Sequence, residues 1–383
     1  MNRTQPALLL AALAAVSLSA CSQEGGTASE EPISGDSWTV PALVTDCSSD
    51  DVDPAGCTGP SEATEYTSLD AENVTAPWRL CAVIPHLKDS TWVGVDYGLV
   101  LQAQRLDVNL SVVDAGGYEN LSKQVSQIED CVSSDADAIL VSAVSYDSVN
   151  QAVQRAMDAG ITVVDVGNGF SLPDVPGRVL QDYVDMGGVI GTHLAESAEP
   201  LKVAVLPGPA GAGWAERSLL GFQEAIEGSD VEIVDVKYGD TGKEVQLGLI
   251  EDVLSANPDI DALVGNAVMV ESAVAVLAEQ GRTEQVALYG TYVTPETVKL
   301  MSAGRANCGP SEQSSLIGQM SVDLAVRLLE QEVLAEPPTR FSPEPLLICG
   351  SAEGGSDNVE SFDATGSFAP EGWQPVSVVE STR

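Results

Sequence analysis

The chain has 383 residues, 44% of them hydrophobic, which is enough for two domains with real cores. Lys and Arg number 17 against 57 Asp and Glu, a formal net charge of −40. A surface that acidic repels phosphate backbones and excludes nucleic-acid binding. It does not by itself specify a cationic ligand, because strong net charge chiefly keeps chains apart in solution.

At the start, Arg3 precedes an apolar run, Ala7 to Ala20, interrupted by Ser17 and Ser19. The run is too short for a bilayer span and reads as the core of a signal peptide. It ends Leu18-Ser19-Ala20-Cys21, an order that resembles a bacterial lipobox. Residues 1–21 are therefore expected to be a lipoprotein-type signal peptide, with Cys21 lipidated. Two or more acyl chains on that cysteine would anchor the protein at a membrane without a spanning helix.

Residues 22–77 contain no Lys or Arg and many Asp, Glu, Gly, Ser and Thr. That composition predicts an acidic tether with a small looped element at Cys47 and Cys57. Six cysteines remain after Cys21, an even number that points to disulfides in an exported chain. The expected pairs are Cys47–Cys57, Cys81–Cys131 and Cys308–Cys349; the second would tie a first strand to the end of a nearby helix. No CxxC spacing occurs and the two histidines, His86 and His193, lie far apart, so no metal site is expected.

Strands and helices then alternate. Apolar runs at 80–84, 109–113, 138–141 and 161–164 predict strands, with helices over 90–106, 120–133 and 147–159 between them. The plan restarts with strands at 203–206, 231–236, 261–264 and 286–288 and helices over 214–227, 241–256 and 268–280. A helix from Pro295, a short strand near Cys308 and a helix over 316–330 follow. This is an α/β pattern of βαβ units with two doubly wound parallel-sheet lobes joined by a hinge. The expected division gives 78–181 plus 293–314 to an N-terminal lobe and 182–292 plus 315–350 to a C-terminal lobe. Residues 351–383 are expected to form a polar tail. In such sheets ligands sit beyond the carboxyl ends of the strands, which puts a site between the lobes.

The run Ile84-Pro85-His86-Leu87-Lys88-Asp89-Ser90-Thr91-Trp92, with Asp114-Ala115-Gly116-Gly117-Tyr118 after the second strand, resembles type I periplasmic binding proteins. Within that family it is most similar to the branch whose members bind trimethylamine N-oxide and partner a sensor histidine kinase. The resemblance extends from about Trp78 to Glu330 and implies a two-lobed fold that closes on one small ligand. Sugar-binding relatives carry Asp-Arg after the fourth strand, where this chain reads Asp165-Val166-Gly167-Asn168. They also carry an acidic residue where this chain reads Gly290-Thr291-Tyr292. Losing a fork donor and a carboxylate while gaining a ring favours apolar or cationic chemistry over a polyol.

Trimethylamine N-oxide surrounds a formally cationic nitrogen with three methyl groups, a face that aromatic rings attract. Its oxygen needs donors such as a Tyr hydroxyl, an indole N–H or an Asn amide. The strand-end loops carry Trp92, Tyr118, Tyr146, Tyr183, Trp214 and Tyr292, although aromatics are only 5% of the chain. Asp89 and Asn266 are added as polar candidates. Plainer alternatives stand beside them: Trp92, Tyr118 and Tyr146 also fit core packing, Tyr183 a hinge, and Asp89 a helix cap.

The resemblance implies a ligand sensor reporting to a kinase, or alternatively an uptake receptor delivering an amine, osmolyte or sugar to an ABC permease. Neither reading needs a cofactor. An enzyme is not expected: no Ser-His-Asp or Cys-His spacing and no Gly-x-Ser-x-Gly motif occurs. The glycine-rich stretch before Trp214 lacks the Lys-Ser/Thr end of a phosphate-binding loop.

Overall fold

The computed structural model describes residues 37–47, 57, 61–197, 199–335 and 338–383. The expected signal peptide, the lipidated Cys21 and the tether as far as residue 36 lie outside the described residues.

In chain order come β1 (Thr39–Asp46), β2 (Glu62–Thr67), β3 (Arg79–Ile84), α1 (Ser90–Leu106), β4 (Asn109–Asp114), α2 (Leu121–Ser133), β5 (Ala138–Val141), α3 (Asn150–Asp158), β6 (Thr162–Gly167) and β7 (Gly177–Leu180). The second lobe opens with α4 (Tyr183–Ala195). It continues through β8 (Leu201–Leu206), α5 (Gly213–Ala225), β9 (Val231–Val236), α6 (Lys243–Ala256), β10 (Ala262–Gly265), α7 (Ala267–Gln280), β11 (Ala287–Gly290), α8 (Pro295–Ser302) and β12 (Cys308–Ser311). Then follow α9 (Ser314–Glu330), β13 (Thr339–Pro343), β14 (Leu346–Cys349) and β15 (Val378–Val379).

The first sheet runs β15-β4-β3-β5-β6-β7-β13-β1-β2 and the second β14-β12-β11-β10-β8-β9. Both are parallel at their centres; antiparallel strands close both edges of the first sheet and, as β14, one edge of the second. Central strands are buried on both faces, so they read as unbroken apolar runs; Leu80 to Ile84 is buried throughout. Each such side chain contributes about 1.5–3 kcal/mol relative to exposure.

In the first lobe α1 and α9 cross at backbone contact. A Cβ on Gly98 would collide with the Ser315 carbonyl, so only glycine permits this approach. Polar bonds lock the same contact. Asp323 of α9, fully buried, accepts from Gln102 Nε2 at 2.7 Å, Leu69 N at 2.8 Å, Tyr66 Oη at 2.9 Å and Arg327 Nε at 2.8 Å. That network satisfies a charge which burial alone would make costly. The disulfides are Cys47–Cys57, Cys81–Cys131 and Cys308–Cys349. The second fastens β3 to α2, and the third joins the paired strands β12 and β14.

Three boundaries differ from the expected division. Strand β12 pairs with β11 and β14, so residues 308–311 belong to the second lobe, not the first. Helix α9 packs on α1, and β13 pairs with β7 and β1, so both belong to the first lobe. Periodicity shows that an element exists but not which sheet it joins. The chain therefore crosses between lobes at 181–182, 312–313 and 344–345, and again in the tail between Phe368, packed on the second-lobe core, and Trp373, packed on the first.

The supposed tether is the second difference. From Thr39 it forms the antiparallel β1–β2 pair that extends the first sheet, and Tyr66 of β2 is fully buried. Glu65 faces outward beside the buried Tyr66, and Asp46 and Glu62 stand at exposed strand ends, so net composition hid the strands. Third, the tail is not wholly loose. Trp373 Nε1 and Val376 N donate to Asp96 Oδ2 of α1 at 3.2 and 3.1 Å, and β15 pairs with β4. Among the described residues no helix is long and apolar enough to cross a membrane.

Candidate functional site

The carboxyl ends of the two sheets face each other across a cavity of about 870 Å³. The first-lobe wall is built from the Pro-His-Leu-Lys-Asp segment. Asp89 caps α1, its Oδ1 accepting from Trp92 N at 3.0 Å, and this fixes Trp92 in the first turn. Trp92 is only 4% exposed and packs into the first-lobe core, presenting an edge to the cleft. The end of β6 passes directly over this ring. Gly167 stands there at φ +71°, and a Cβ would lie 3.2 Å from the indole.

Tyr118 completes that wall. Its hydroxyl accepts from Trp92 Nε1 at 3.2 Å and from Asn168 Nδ2 at 3.1 Å, while Asn168 also donates to Ala143 O at 2.8 Å. The residue is 47% exposed, so its buried hydroxyl is held while its ring faces the cleft. Burial pushes that phenol up to about 12, against the two donors that pull it down. His86 contacts the ring edge-on at 5.5 Å between centroids and lies 3.7 Å from Asp89 Oδ2. Tyr146, in the loop after β5, also lines the cavity.

The second lobe supplies Tyr183 at the start of α4, Trp214 at the start of α5 and Tyr292 after β11. Trp214 and Tyr292 meet edge to face, 6.0 Å between centroids. Burial drives the Tyr183 and Tyr292 phenols far above their usual range, and the Glu312 carboxylate adds to this. They remain protonated donors at any physiological pH.

The cavity thus gathers Asp89, Trp92, Tyr118, Tyr146, Tyr183, Trp214 and Tyr292. Asn266 is not among them, which corrects its expected place in the site. It is fully buried, its Oδ1 accepts from Met269 N at 3.0 Å to cap α7, and its Nδ2 donates to Leu206 O at 3.1 Å. A strand-end Asn preceding a helix is in the best position for a cap, and here the cap wins.

Sequence reasoning missed Glu312, Gln181, Thr91, Asn168 and Arg217, all of which line the cavity. Glu312 is held up to about 7 by burial, with a Thr91 hydrogen bond opposing and the Asp89 charge assisting. Its position directly after a short strand was a usable signal. Asp165, by contrast, turns away from the cleft and is buried in an ion pair with Arg178.

A family model described as "Periplasmic binding protein domain" matches residues 81–332. Periplasmic protein TorT of Escherichia coli is 32% identical over 311 residues, 80% of this chain and 86% of TorT. In a solved complex with the TorS sensor domain in the presence of TMAO, TorT is 28% identical, with a TM-score of 0.67, covering 78% of this chain and 99% of that one. The ribose import binding protein RbsB of Escherichia coli is 26% identical over 68% of this chain and 88% of its own length. An ABC transporter solute-binding protein from Bradyrhizobium, solved with bound Bis-Tris, is 36% identical with a TM-score of 0.79, covering 88% of this chain and 98% of that one. Taken with the two lobes and the cleft between them, these matches place the chain in the type I periplasmic binding protein family.

Proposed function

We propose that this protein is an exported sensor subunit that binds trimethylamine N-oxide, or a closely similar methylated amine, and reports to a membrane sensor histidine kinase. The observation that carries the reading is the ring lining contributed by both lobes: Trp92, Tyr118 and Tyr146 face Tyr183, Trp214 and Tyr292 across one cavity. Methyl groups on a cationic nitrogen gain about 0.5–2 kcal/mol from each good ring contact. Closure brings the two sets of rings onto one ligand, and a ligand shifts the open–closed equilibrium only by its differential affinity for the two forms. The lack of an Arg directly after Asp165, whose partner Arg178 is buried outside the cavity, and the ring at Tyr292 support an amine over a polyol. Likeness to TorT, solved with the TorS sensor domain, supports the kinase as partner.

A second reading, delivery to an ABC permease, is favoured by the Bradyrhizobium solute-binding protein. Its bound Bis-Tris is a tertiary amine that also carries hydroxyls, so a cleft of this kind serves either reading and the partner is what differs. In both readings the protein works in the periplasm, held at the membrane through lipidated Cys21.

Calorimetric titration of the chain from Ser22 tests the reading, with trimethylamine N-oxide, glycine betaine, choline, trimethylamine and ribose as ligands. Heat from trimethylamine N-oxide and none from ribose is expected. Tight ribose binding with no response to the N-oxide would end the proposal. Cys21→Ser, expressed in a bacterial host, is expected to leave the protein unacylated and free of the membrane fraction.

A further inference from the structure

Two polar side chains in the cleft belong to the crossings themselves. Gln181 stands between β7 and α4, and Glu312 between β12 and α9. Gln181 is 4% exposed, and neither its Oε1 nor its Nε2 has a hydrogen-bond partner. An amide so deeply buried and unpaired costs stability unless something else satisfies it. It lines the cavity, so a ligand is the group placed to do so. Glu312 Oε2 accepts from Thr91 Oγ1 at 3.0 Å. Its other oxygen is available to the cavity.

Glu312 shares the cavity with these titratable and charged groups. From α1 and the segment before it come Asp89, His86 and Lys88, and from the loops after β4 Tyr118 and Glu119. From the second lobe come Tyr183, Tyr292, Arg217 and Asp240. Burial chiefly favours the neutral acid, the Thr91 bond favours the anion, and the charge of Asp89 assists the neutral form. The balance falls near neutral pH, where a carboxyl offers either a proton or a charge.

Resting on the reading that this ring-lined cleft takes a small methylated amine or its N-oxide, we propose that Glu312 and Gln181 select between the two. With Glu312 protonated, its hydroxyl and the Gln181 amide donate to the oxygen of an N-oxide. With Glu312 ionised, its charge repels that oxygen and attracts a quaternary ammonium, whose methyl face the rings accept equally well. The same side chains sit where the lobes join, so the ligand that satisfies them also bridges the hinge.

The test is calorimetry with trimethylamine N-oxide and with tetramethylammonium, neither of which changes charge between about pH 5.5 and about pH 8.5. The wild type is expected to shift its Kd ratio toward tetramethylammonium by about tenfold or more over that range. Glu312→Gln is expected to abolish the shift and to keep the N-oxide preference, because an amide still donates. Gln181→Leu is expected to weaken the N-oxide selectively. Should Glu312→Gln fail to fold, Thr91→Val serves instead: removing the bond that favours the anion moves the midpoint to higher pH. A wild-type ratio independent of pH, or an unaltered shift in Glu312→Gln or Thr91→Val, overturns the proposal. Equal loss of both ligands in Gln181→Leu overturns the part played by Gln181. If the wild type binds neither ligand at either pH, the underlying reading of the cleft fails and this proposal falls with it.

Discussion

Asp182 Oδ2 lies 2.6 Å from Arg340 Nη2, and this buried pair joins the second residue of one crossing to a strand of the opposite lobe. Arg340 sits on β13, in the first sheet, while Asp182 caps α4 by accepting from Val184 N and Asp185 N at 3.1 and 3.2 Å. One carboxylate therefore starts a helix of the second lobe and anchors it to the first. Asp182→Asn keeps a capping oxygen but strands the Arg340 charge out of water. We expect a loss of about 3–5 kcal/mol in urea unfolding. The pair of substitutions Asp182→Asn and Arg340→Met should lose less than the sum of the two alone, because no charge is then left unpaired. Additive losses would show that the two groups do not interact.

A second buried carboxyl predicts a pH dependence of opposite sign to the usual acid lability. Burial holds Asp96 up to about 6 from its ordinary 3.8, although the bonds from Val376 N and Trp373 Nε1 pull it down. The folded state thus binds the proton more tightly than the unfolded chain. The stability it contributes is fully present below about pH 4 and is lost as pH rises through about 6. A shift of this size corresponds to about 3 kcal/mol at most. Asp96→Asn should remove the dependence. Subtracting the variant's stability profile from that of the wild type should leave a curve that falls between about pH 4 and about pH 6 and is flat above. A flat difference throughout would mean that the carboxyl is better solvated than its position beneath Trp373 implies.

The central strands were legible because they lie under helices on both faces and so read as nearly unbroken apolar runs; Leu80–Ile84 and Val203–Leu206 are examples. The ring positions were legible for a related reason, since aromatics at strand ends in this fold have a cleft to face. Lobe membership was not legible. Helix α9 has an apolar face like any other, and its partner shows only in the assembled lobe, where Gly98 meets Ser315 and Gly318 meets Val95 at backbone distance. The polar site residues were the least visible. Gln181 and Glu312 differ from solvated surface residues only in sitting at crossings, and crossings are a property of the assembled lobes. Asn266 failed for the converse reason: a short amide at a helix start serves the backbone before it serves a ligand.

The Cys81–Cys131 bridge closes a loop of 50 residues that contains β4 and most of α2. Chain-entropy arguments assign a loop of this length about 4 kcal/mol of stabilisation, mostly by restricting the unfolded state. The double substitution Cys81→Ser and Cys131→Ser is therefore expected to lower the stability of the first lobe by about 2–5 kcal/mol in denaturant unfolding. Ligand affinity measured under fully native conditions should stay within about twofold, because both sulfurs lie in the core behind β3 and away from the cleft. A large loss of affinity with unchanged stability would mean that the bridge positions the site rather than the fold.

The rings and the misplaced amide together separate binding from folding. Trp92 and Tyr292 stand on opposite lobes, so each should contribute to a ligand held between them. Under the proposed function, Trp92→Ala and Tyr292→Ala are each expected to weaken trimethylamine N-oxide by about 1–2 kcal/mol in calorimetry. Trp92→Ala should also lower the melting temperature, because that ring is part of the first-lobe core. Trp92→Phe keeps most of the volume and isolates the ligand contact from the packing. Asn266→Ala reverses the pattern. Losing the α7 cap should cost about 1 kcal/mol of stability and leave affinity unchanged, since the side chain faces Leu206 and Met269 rather than the cleft. If Asn266→Ala weakened the ligand as much as Tyr292→Ala did, the second-lobe wall would have to extend behind Leu206, and the cap would not be its main role.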